Sequence, residues 1–159
     1  MPIDSPEFRR IFGHWVTGVA VVAATAEDGS PCGLTANAVA SLSLEPPLVL
    51  ACIDRAADSH DCIRAAGFYS VNMLAADQER LARRFATWEL PAKFEGVAYR
   101  PEVSGAPVLE DALAWVDCEL WACYDGGDHS IFVGRVLAGD ARDGEPLVFY
   151  RGGYAGRAP

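Results

Sequence analysis

The sequence predicts a mainly β fold, a barrel with a few short helices, and three observations support this prediction. Residues 34–44 alternate between apolar and mostly polar side chains with a period of two, which is typical of a strand with two unlike faces. About six or seven apolar runs of strand length are separated by residues that favour turns. Only three short segments carry helix signals, which is too few for alternating strand and helix units.

We predict the following elements in chain order. They are a helix over 5–13, a strand over 15–25, the alternating strand over 34–44, a strand over 48–53, a helix from 58 or 59 to 66, a strand over 68–74, a helix over 77–85, an irregular excursion over 87–108, paired strands over 113–124 and 130–138, and a last strand over 147–151.

Caps and turns set most of these bounds. Ser5 is a suitable N-cap, followed by a proline at the first helical position and an acidic residue near the positive end of the helix dipole. Gly67 occupies the position of a left-handed C-terminal cap. Asp28-Gly29 and residues 125–128 are hairpin signals. Pro46 and Pro47 cannot donate to a strand ladder, so they end the alternating strand.

The composition narrows the class of protein. A chain of 159 residues is long enough for one domain with its own core, and we expect a single domain over 1–159. The net charge of −9 argues against nucleic acid or an anionic membrane as a partner, because both bind basic surfaces. No apolar run has the character of a secretion signal or the length of about 20 residues that spans a bilayer. We therefore expect a cytoplasmic protein.

The cysteines predict reduced thiols. Their number is odd, no secretion signal accompanies them, and the spacing C-x-x-C is absent, so we expect small buried hydrophobic side chains and no metal site. They are Cys32, Cys52, Cys62, Cys118 and Cys123.

The polar face of the alternating stretch is a candidate binding surface. Its residues are small donors and acceptors such as Thr35, Asn37, Ser41 and Ser43, and the whole run carries no charge. Solvated strand faces ordinarily carry Lys, Glu and Arg as well. A polar ligand lying along the strand is one explanation. The other is a half-buried strand whose hydroxyls bond to neighbouring backbone, and the pattern leaves both open.

Three further places could contact a ligand. Ser59 precedes a predicted helix, where it binds phosphate or is a plain cap. Arg84 is either a phosphate ligand or a solvated charge. His129 follows two glycines at a hairpin, where it contacts a ligand or is structural. Since G-x-G-x-x-G, G-x-x-x-x-G-K-[ST] and G-x-S-x-G are all absent, a bound cofactor would carry the chemistry of an enzyme built on this chain.

Six motifs in order resemble one family. They are F-R-x-x-x-G-x-x-x-T-G-V (8–19), T-A-N-x-x-x-S-x-S-x-x-P-P-L (35–48), V-N-x-L-x-x-D-Q (71–78), R-F-A (84–86), G-D-H-x-I-x-x-G-x-V (127–136) and P-L-x-x-Y-x-G-x-Y (146–154). Together they cover nearly the full chain and are similar to those of the short-chain flavin reductases. Ala38 departs from the pattern, because a serine is common there, and His14 lies in a stretch that varies among relatives.

The resemblance implies an FMN-binding split β-barrel that works as a homodimer. Such an enzyme reduces free FMN or FAD with NADH or NADPH and passes the reduced flavin to a flavin-dependent monooxygenase. A non-catalytic flavin-binding or electron-transfer protein on the same barrel is the main alternative, since fold alone does not separate the two. A flavin-dependent oxidoreductase acting on an organic substrate is a second alternative.

The resemblance also implies roles for individual residues. The flavin ring and ribityl chain would contact Thr35, Ala36, Asn37, Ala38, Ser41 and Ser43. The phosphate end would contact Ser59, His60, Arg84 and Phe85. His129 would contact the nicotinamide as the catalytic residue, beside Tyr150, Arg151, Gly152 and Gly153. Hydride would pass directly from nicotinamide to flavin, so the protein would act by holding two rings together, with no side chain serving as a base.

Overall fold

A computed structural model describes residues 1–155. Its helices are α1 (Ser5–Phe12), α2 (His60–Ala66) and α3 (Glu79–Thr87), with short 3₁₀ turns at Ala76–Gln78 and Ala92–Phe94. Its strands are β1 (Thr17–Gly18), β2 (Ala20–Thr25), β3 (Pro31–Ala36), β4 (Val39–Leu44), β5 (Pro47–Asp54), β6 (Phe68–Met73), β7 (Tyr99–Pro101), β8 (Pro107–Leu109), β9 (Ala114–Gly126), β10 (His129–Ala141), β11 (Val148–Tyr150) and β12 (Gly153–Ala155). No helix in this part of the chain is long and apolar enough to cross a membrane.

Seven antiparallel strands form the main sheet, in the order β3-β2-β6-β9-β10-β5-β4. The two edge strands, β3 and β4, are joined by only Asn37 and Ala38, so the sheet must curl until its edges meet. The backbone N–H of Cys52 on β5 donates to the carbonyl of Ala38 at 2.9 Å, which holds this junction against the barrel. The predicted mainly β split barrel is therefore confirmed. Smaller sheets, β1-β11-β12 and β7-β8, lie beside it.

The prediction of one strand over 34–44 is wrong. One strand cannot pair with both sides of the barrel at once, so the chain turns at Asn37–Ala38, pairing with β2 before this corner and with β5 after it. A bulge then separates Ser41, which lies opposite Val49, from Ser43, which lies opposite Leu48. Since neighbouring residues of a strand point to opposite faces, the polar face is not continuous.

Smaller differences concern the ends of elements. Asp4, not Ser5, is the N-cap of α1, since its Oδ1 accepts the N–H of Glu7 at 2.9 Å. The strand predicted over 15–25 is divided into β1 and β2. The excursion over 87–108 contains β7 and the start of β8, and a further strand, β12, follows the predicted last one. The left-handed cap at Gly67 is confirmed by its φ of 72°.

Strand β2 is buried on both faces, so two cores form. The inside of the curved sheet holds Ala20, Val22, Ala24, Cys32, Ala36, Val49, Ala51, Ile53, Ile63, Tyr69, Val71, Cys118 and Phe132. The other face of β2 packs under α3 and the 3₁₀ turn at Ala92–Phe94, with Val19, Val21, Ala23, Leu74, Ala82, Phe85, Phe94, Leu109 and Leu147. Burial of this size is the main source of stability for a domain.

The prediction that all cysteines are reduced is wrong for one pair. Cys32 on β3 and Cys62 on α2 form a disulfide, with Cα atoms 6.5 Å apart. The odd number of cysteines gave no information on which two the fold brings within bonding distance. Cys52, Cys118 and Cys123 are free. Burial, with the neighbouring Asp117 charge, raises the pKa of Cys118 to about 12, which keeps it a thiol at neutral pH.

Candidate functional site

The site is built around the corner where β3 turns into β4. Asn37 and Ala38 are exposed there, and Ala38 is held against Cys52 on one side of β5. His129, the first residue of β10, lies opposite Asp54 on the other side of β5. Neighbouring strands are about 4.8 Å apart, so the corner and His129 are separated by roughly 10 Å at the same end of the barrel.

The six residues predicted to line the flavin fall into different environments. Asn37, Ala38 and Ser41 are exposed at or near the corner. The hydroxyl of Thr35 donates to the carbonyl of Ala82 on α3 at 2.6 Å, and Ala36 is buried in the barrel core. Ser43 is on the opposite face of β4 from Ser41. The structure therefore leaves three of the six exposed, Asn37 and Ala38 at the corner and Ser41 on β4.

The side chains of Ser59 and His60 are buried just before and at the start of α2. The Ser59 hydroxyl accepts the N–H of Gly33 at 2.9 Å and donates to the carbonyl of Gly33 at 2.8 Å. The ring of His60 places Nδ1 2.8 Å from Asp61 and Nε2 2.9 Å from the hydroxyl of Ser130. Both side chains are turned into the protein, so a contact with a phosphate would come from the backbone of these two residues. That contact stays a prediction.

Arg84 and Phe85 lie in different environments. Phe85 is a core residue, packed edge to face on Phe94 with ring centroids 4.8 Å apart. Arg84 stacks over the ring of Trp88 at 4.4 Å, and its Nη2 donates to the carbonyls of Ala92 and Glu95. Its Nε is buried without a hydrogen-bond partner among residues 1–155. Arg84 therefore keeps one donor that a ligand could use, whereas Phe85 is covered by protein.

A buried lysine beside this site was missed by the sequence reasoning. Lys93 is only 4% exposed, and its Nζ donates to Asp58 Oδ1 at 2.7 Å and to the carbonyl of Gly33 at 3.1 Å. Burial acts to raise the pKa of Asp58, but hydrogen bonds from Lys93 and the N–H of Leu90 outweigh it, so this pKa is lowered. A lysine in an irregular stretch gives no sequence signal of burial.

His129 is half-exposed at the β9–β10 hairpin. Its Nδ1 is 2.7 Å from Asp128 Oδ1, and this bond is the main cause of the lowered pKa of Asp128. Arg55 holds the backbone nearby, since its Nε donates to the His129 carbonyl at 3.3 Å and its Nη2 to Asp125 at 2.5 Å. The ring of His129 is thus accessible while its backbone is fixed.

The turn over Tyr150–Gly153 is placed differently. Arg151 and Gly152 have φ angles of 50° and 77°, and the N–H of Arg151 donates to the carbonyl of Gly13 at the end of α1 at 2.9 Å. Within residues 1–155, no hydrogen bond joins this turn to His129 or to the corner. The turn is therefore anchored to the end of α1, and its predicted place beside His129 stays a prediction.

Comparison with known proteins identifies the family. The family described as flavin reductase like domain matches residues 12–157, nearly the whole chain. The chain belongs to this flavin reductase family. The motif-based prediction is therefore confirmed, and the protein is an oxidoreductase that reduces flavin with a nicotinamide donor.

Curated relatives of this flavin reductase include a monooxygenase reductase subunit and an FMN reductase. It is 40% identical over 158 residues to the reductase subunit HsaB of a flavin-dependent monooxygenase from Rhodococcus jostii, covering 99% of this chain and 80% of the relative. It is 40% identical over 151 residues to the FMN reductase (NADH) SmoA from Agrobacterium fabrum, covering 95% and 85%.

Solved structures agree with the fold. The NADH:FAD oxidoreductase SgcE6 from Streptomyces globisporus C-1027 superposes with a TM-score of 0.92 at 38% identity, over all of this chain and 96% of that one. The relatives named here by activity are reductases, which favours an enzyme over the alternative of a non-catalytic flavin-binding or electron-transfer protein.

Proposed function

We propose that this flavin reductase is the reductase component of a two-component monooxygenase. Flavin binds at the exposed corner formed by Asn37, Ala38 and Ser41, and the nicotinamide lies against His129. The observation that carries this proposal is the uncharged, exposed corner that lies two strand spacings from the accessible ring of His129. Reduced flavin is then released to a partner monooxygenase, as the name of the Rhodococcus relative suggests for that protein.

The residues present fit a flavin. Residues 31–44 carry no charge, so this segment offers no charged group that would compete with the neutral donors and acceptors of a flavin ring. The buried Nε of Arg84 lacks an acceptor within residues 1–155, and an anionic phosphate would supply one. We propose that Ser59, His60 and Phe85 support this region from behind, because their side chains are buried.

The site favours flavin as an exchangeable substrate. Residues 35–43 contain neither cysteine nor histidine that could form a covalent link to the ring. Neutral hydrogen bonds contribute only about 0.5–1.5 kcal/mol each, which is consistent with release. Lys93 and Arg84 fix residues 92–95 near Gly33 and α3, and the corner stays exposed. This accessibility supports a reductase over a protein that retains its flavin.

The protein's part in the reaction is positioning. The bound flavin and nicotinamide supply the redox chemistry, a direct hydride transfer between two rings. Asn37 and Ser41 orient the accepting ring through neutral hydrogen bonds, and His129 orients the donor ring. Because a hydride moves with its electron pair, no side chain has to remove a proton in this step. The expected gain in rate comes from proximity and orientation.

We also propose a homodimer, with a cytoplasmic location where NADH or NADPH is available. Leu48, Leu50, Cys52, Tyr124 and Ile131 share the face of β5, β10 and β9 that points away from the barrel core; we call it the outer face. Trp121 lies at the bulge of β9 beside this face and is 52% exposed. An apolar sheet face of this kind is typical of an interface, and a second copy is the commonest partner.

Replacing Trp121 with glutamate is expected to convert a dimer into a monomer, because a charge in a closely packed apolar interface is strongly unfavourable. Sedimentation velocity measures the mass. The matched control is Val103→Glu, since Val103 is 73% exposed on a distant turn and should leave the mass unchanged. A wild-type protein that sediments as a monomer would contradict the proposed dimer.

The direct test of function is oxidation of NADH, and separately of NADPH, with excess FMN or FAD. We expect loss of nicotinamide absorbance that depends on added flavin, and a flavin that separates from the denatured protein. When a flavin-dependent monooxygenase and its substrate are added, the released reduced flavin should support hydroxylation. This should not require contact between the active sites of the two enzymes. Flavin that binds without any nicotinamide oxidation would support the non-catalytic alternative instead.

A further inference from the structure

A buried histidine connects α2 to the beginning of strand β10. His60 lies between Asp61, 2.8 Å from its Nδ1, and the hydroxyl of Ser130, 2.9 Å from its Nε2. Its side chain is 5% exposed, whereas that of Asp61 is almost fully exposed. The order of groups is carboxylate, imidazole and hydroxyl, which is the order found in hydrolytic triads.

The surroundings exclude nucleophilic chemistry at this serine. Ser130 is 3% exposed and shares the inner face of β10 with Phe132. The ring of His60 packs edge to face on Phe132 with centroids 5.3 Å apart. A substrate carbonyl therefore cannot reach the hydroxyl. A polar bond retained in an apolar core instead holds two elements in one relative position.

We propose that His60 and Ser130 are positioning residues for His129. Side chains alternate along β10, so Ser130 points inward to His60 while His129 points outward to the accessible surface. The His60–Ser130 bond anchors the strand from inside, and Arg55 holds the His129 carbonyl from the other side. The hairpin adds restraint from outside the core, because Asp128 Oδ1 lies 2.7 Å from Nδ1 of His129 and the Asp128 carbonyl accepts the N–H of Arg55 at 3.0 Å. The inference rests on the proposed function, in which His129 contacts the nicotinamide.

This role differs from the one predicted for His60 by resemblance, which was contact with the flavin phosphate. The two roles affect different ligands. A positioning role acts on the nicotinamide through His129, whereas a phosphate contact acts on the affinity for FMN. Ser130→Ala separates them, because it removes one hydroxyl, leaves the ring of His60 in place and creates almost no cavity.

We expect Ser130→Ala to lower kcat/KM for NADH about threefold to tenfold, the loss of one hydrogen bond that orients the donor. The dissociation constant for FMN, measured by fluorescence quenching, should stay unchanged. The same substitution made in a His129→Ala background should have no further effect on kcat/KM, since the group that it positions is gone. Such non-additivity is the signature of coupled residues.

Ser70→Ala is the matched control, because Ser70 is also a buried strand serine and bonds to the carbonyl of Pro107. It should lower the melting temperature without changing kcat/KM for NADH. Three results would overturn the inference: an unchanged kcat/KM in Ser130→Ala, an effect that adds fully to that of His129→Ala, or a loss of FMN affinity larger than the effect on NADH. Failure of the proposed function is seen separately, as absent NADH oxidation in the wild type.

Discussion

Replacing His129 with alanine is expected to lower kcat/KM for NADH by about a hundredfold, because a reacting ring displaced by about 1 Å costs a factor of this size. The side chain of His129 is 41% exposed, and Arg55 holds its backbone carbonyl. The imidazole can therefore orient a ring without strain in the protein. Steady-state kinetics with varied NADH at saturating flavin measures the effect.

The affinity for flavin should barely change in the same variant, because the corner residues lie across β5 from His129. His129→Asn serves as the graded control, since its amide keeps a donor close to the position of the ring nitrogen and should recover part of the activity. If the alanine variant keeps wild-type kcat and KM for NADH, His129 is structural and the nicotinamide binds elsewhere.

The strands were predictable where local pattern and pairing agree. β5 and β6 are apolar runs of strand length, and the β9–β10 hairpin is signalled by glycines. The corner at Asn37–Ala38 was not predictable from periodicity, because the alternation continues through it. What interrupts the strand is a change of partner from β2 to β5, a property of the closed barrel and not of the segment.

The sequence predicted only part of the candidate site, and the reason is related. The motif identifies residues near the corner but does not distinguish an exposed Asn37 from a buried Ser59. Ser130 could have been predicted as buried, because it alternates in phase with Phe132. Lys93 could not, since burial of an ammonium depends on a carboxylate 35 residues earlier in the chain. The disulfide likewise depends on how α2 packs against β3.

Replacing Asp58 with alanine is expected to lower the free energy of unfolding by about 3 kcal/mol, since removal of one partner leaves the buried ammonium of Lys93 uncompensated. The value falls at the low end of the range for buried pairs because the Asp58 side chain is 33% exposed. Urea denaturation at pH 7 measures it. Glu79→Ala, which breaks the exposed pair with Arg83, is the matched control and should cost no more than about 1 kcal/mol.

The pH dependence gives this prediction a second check. The folded-state pKa of Asp58 lies below its ordinary value of 3.8, so its stabilisation is complete above that value and is lost as the pH falls through the folded pKa. The difference between wild type and Asp58→Ala should therefore shrink below about pH 4. Lys93→Met should cost less than Asp58→Ala, because water reaches the remaining carboxylate while methionine fills the buried space. Two results would show that Asp58 does not compensate the charge of Lys93. One is an equal loss of unfolding free energy in the two variants, and the other is a difference between wild type and Asp58→Ala that does not depend on pH.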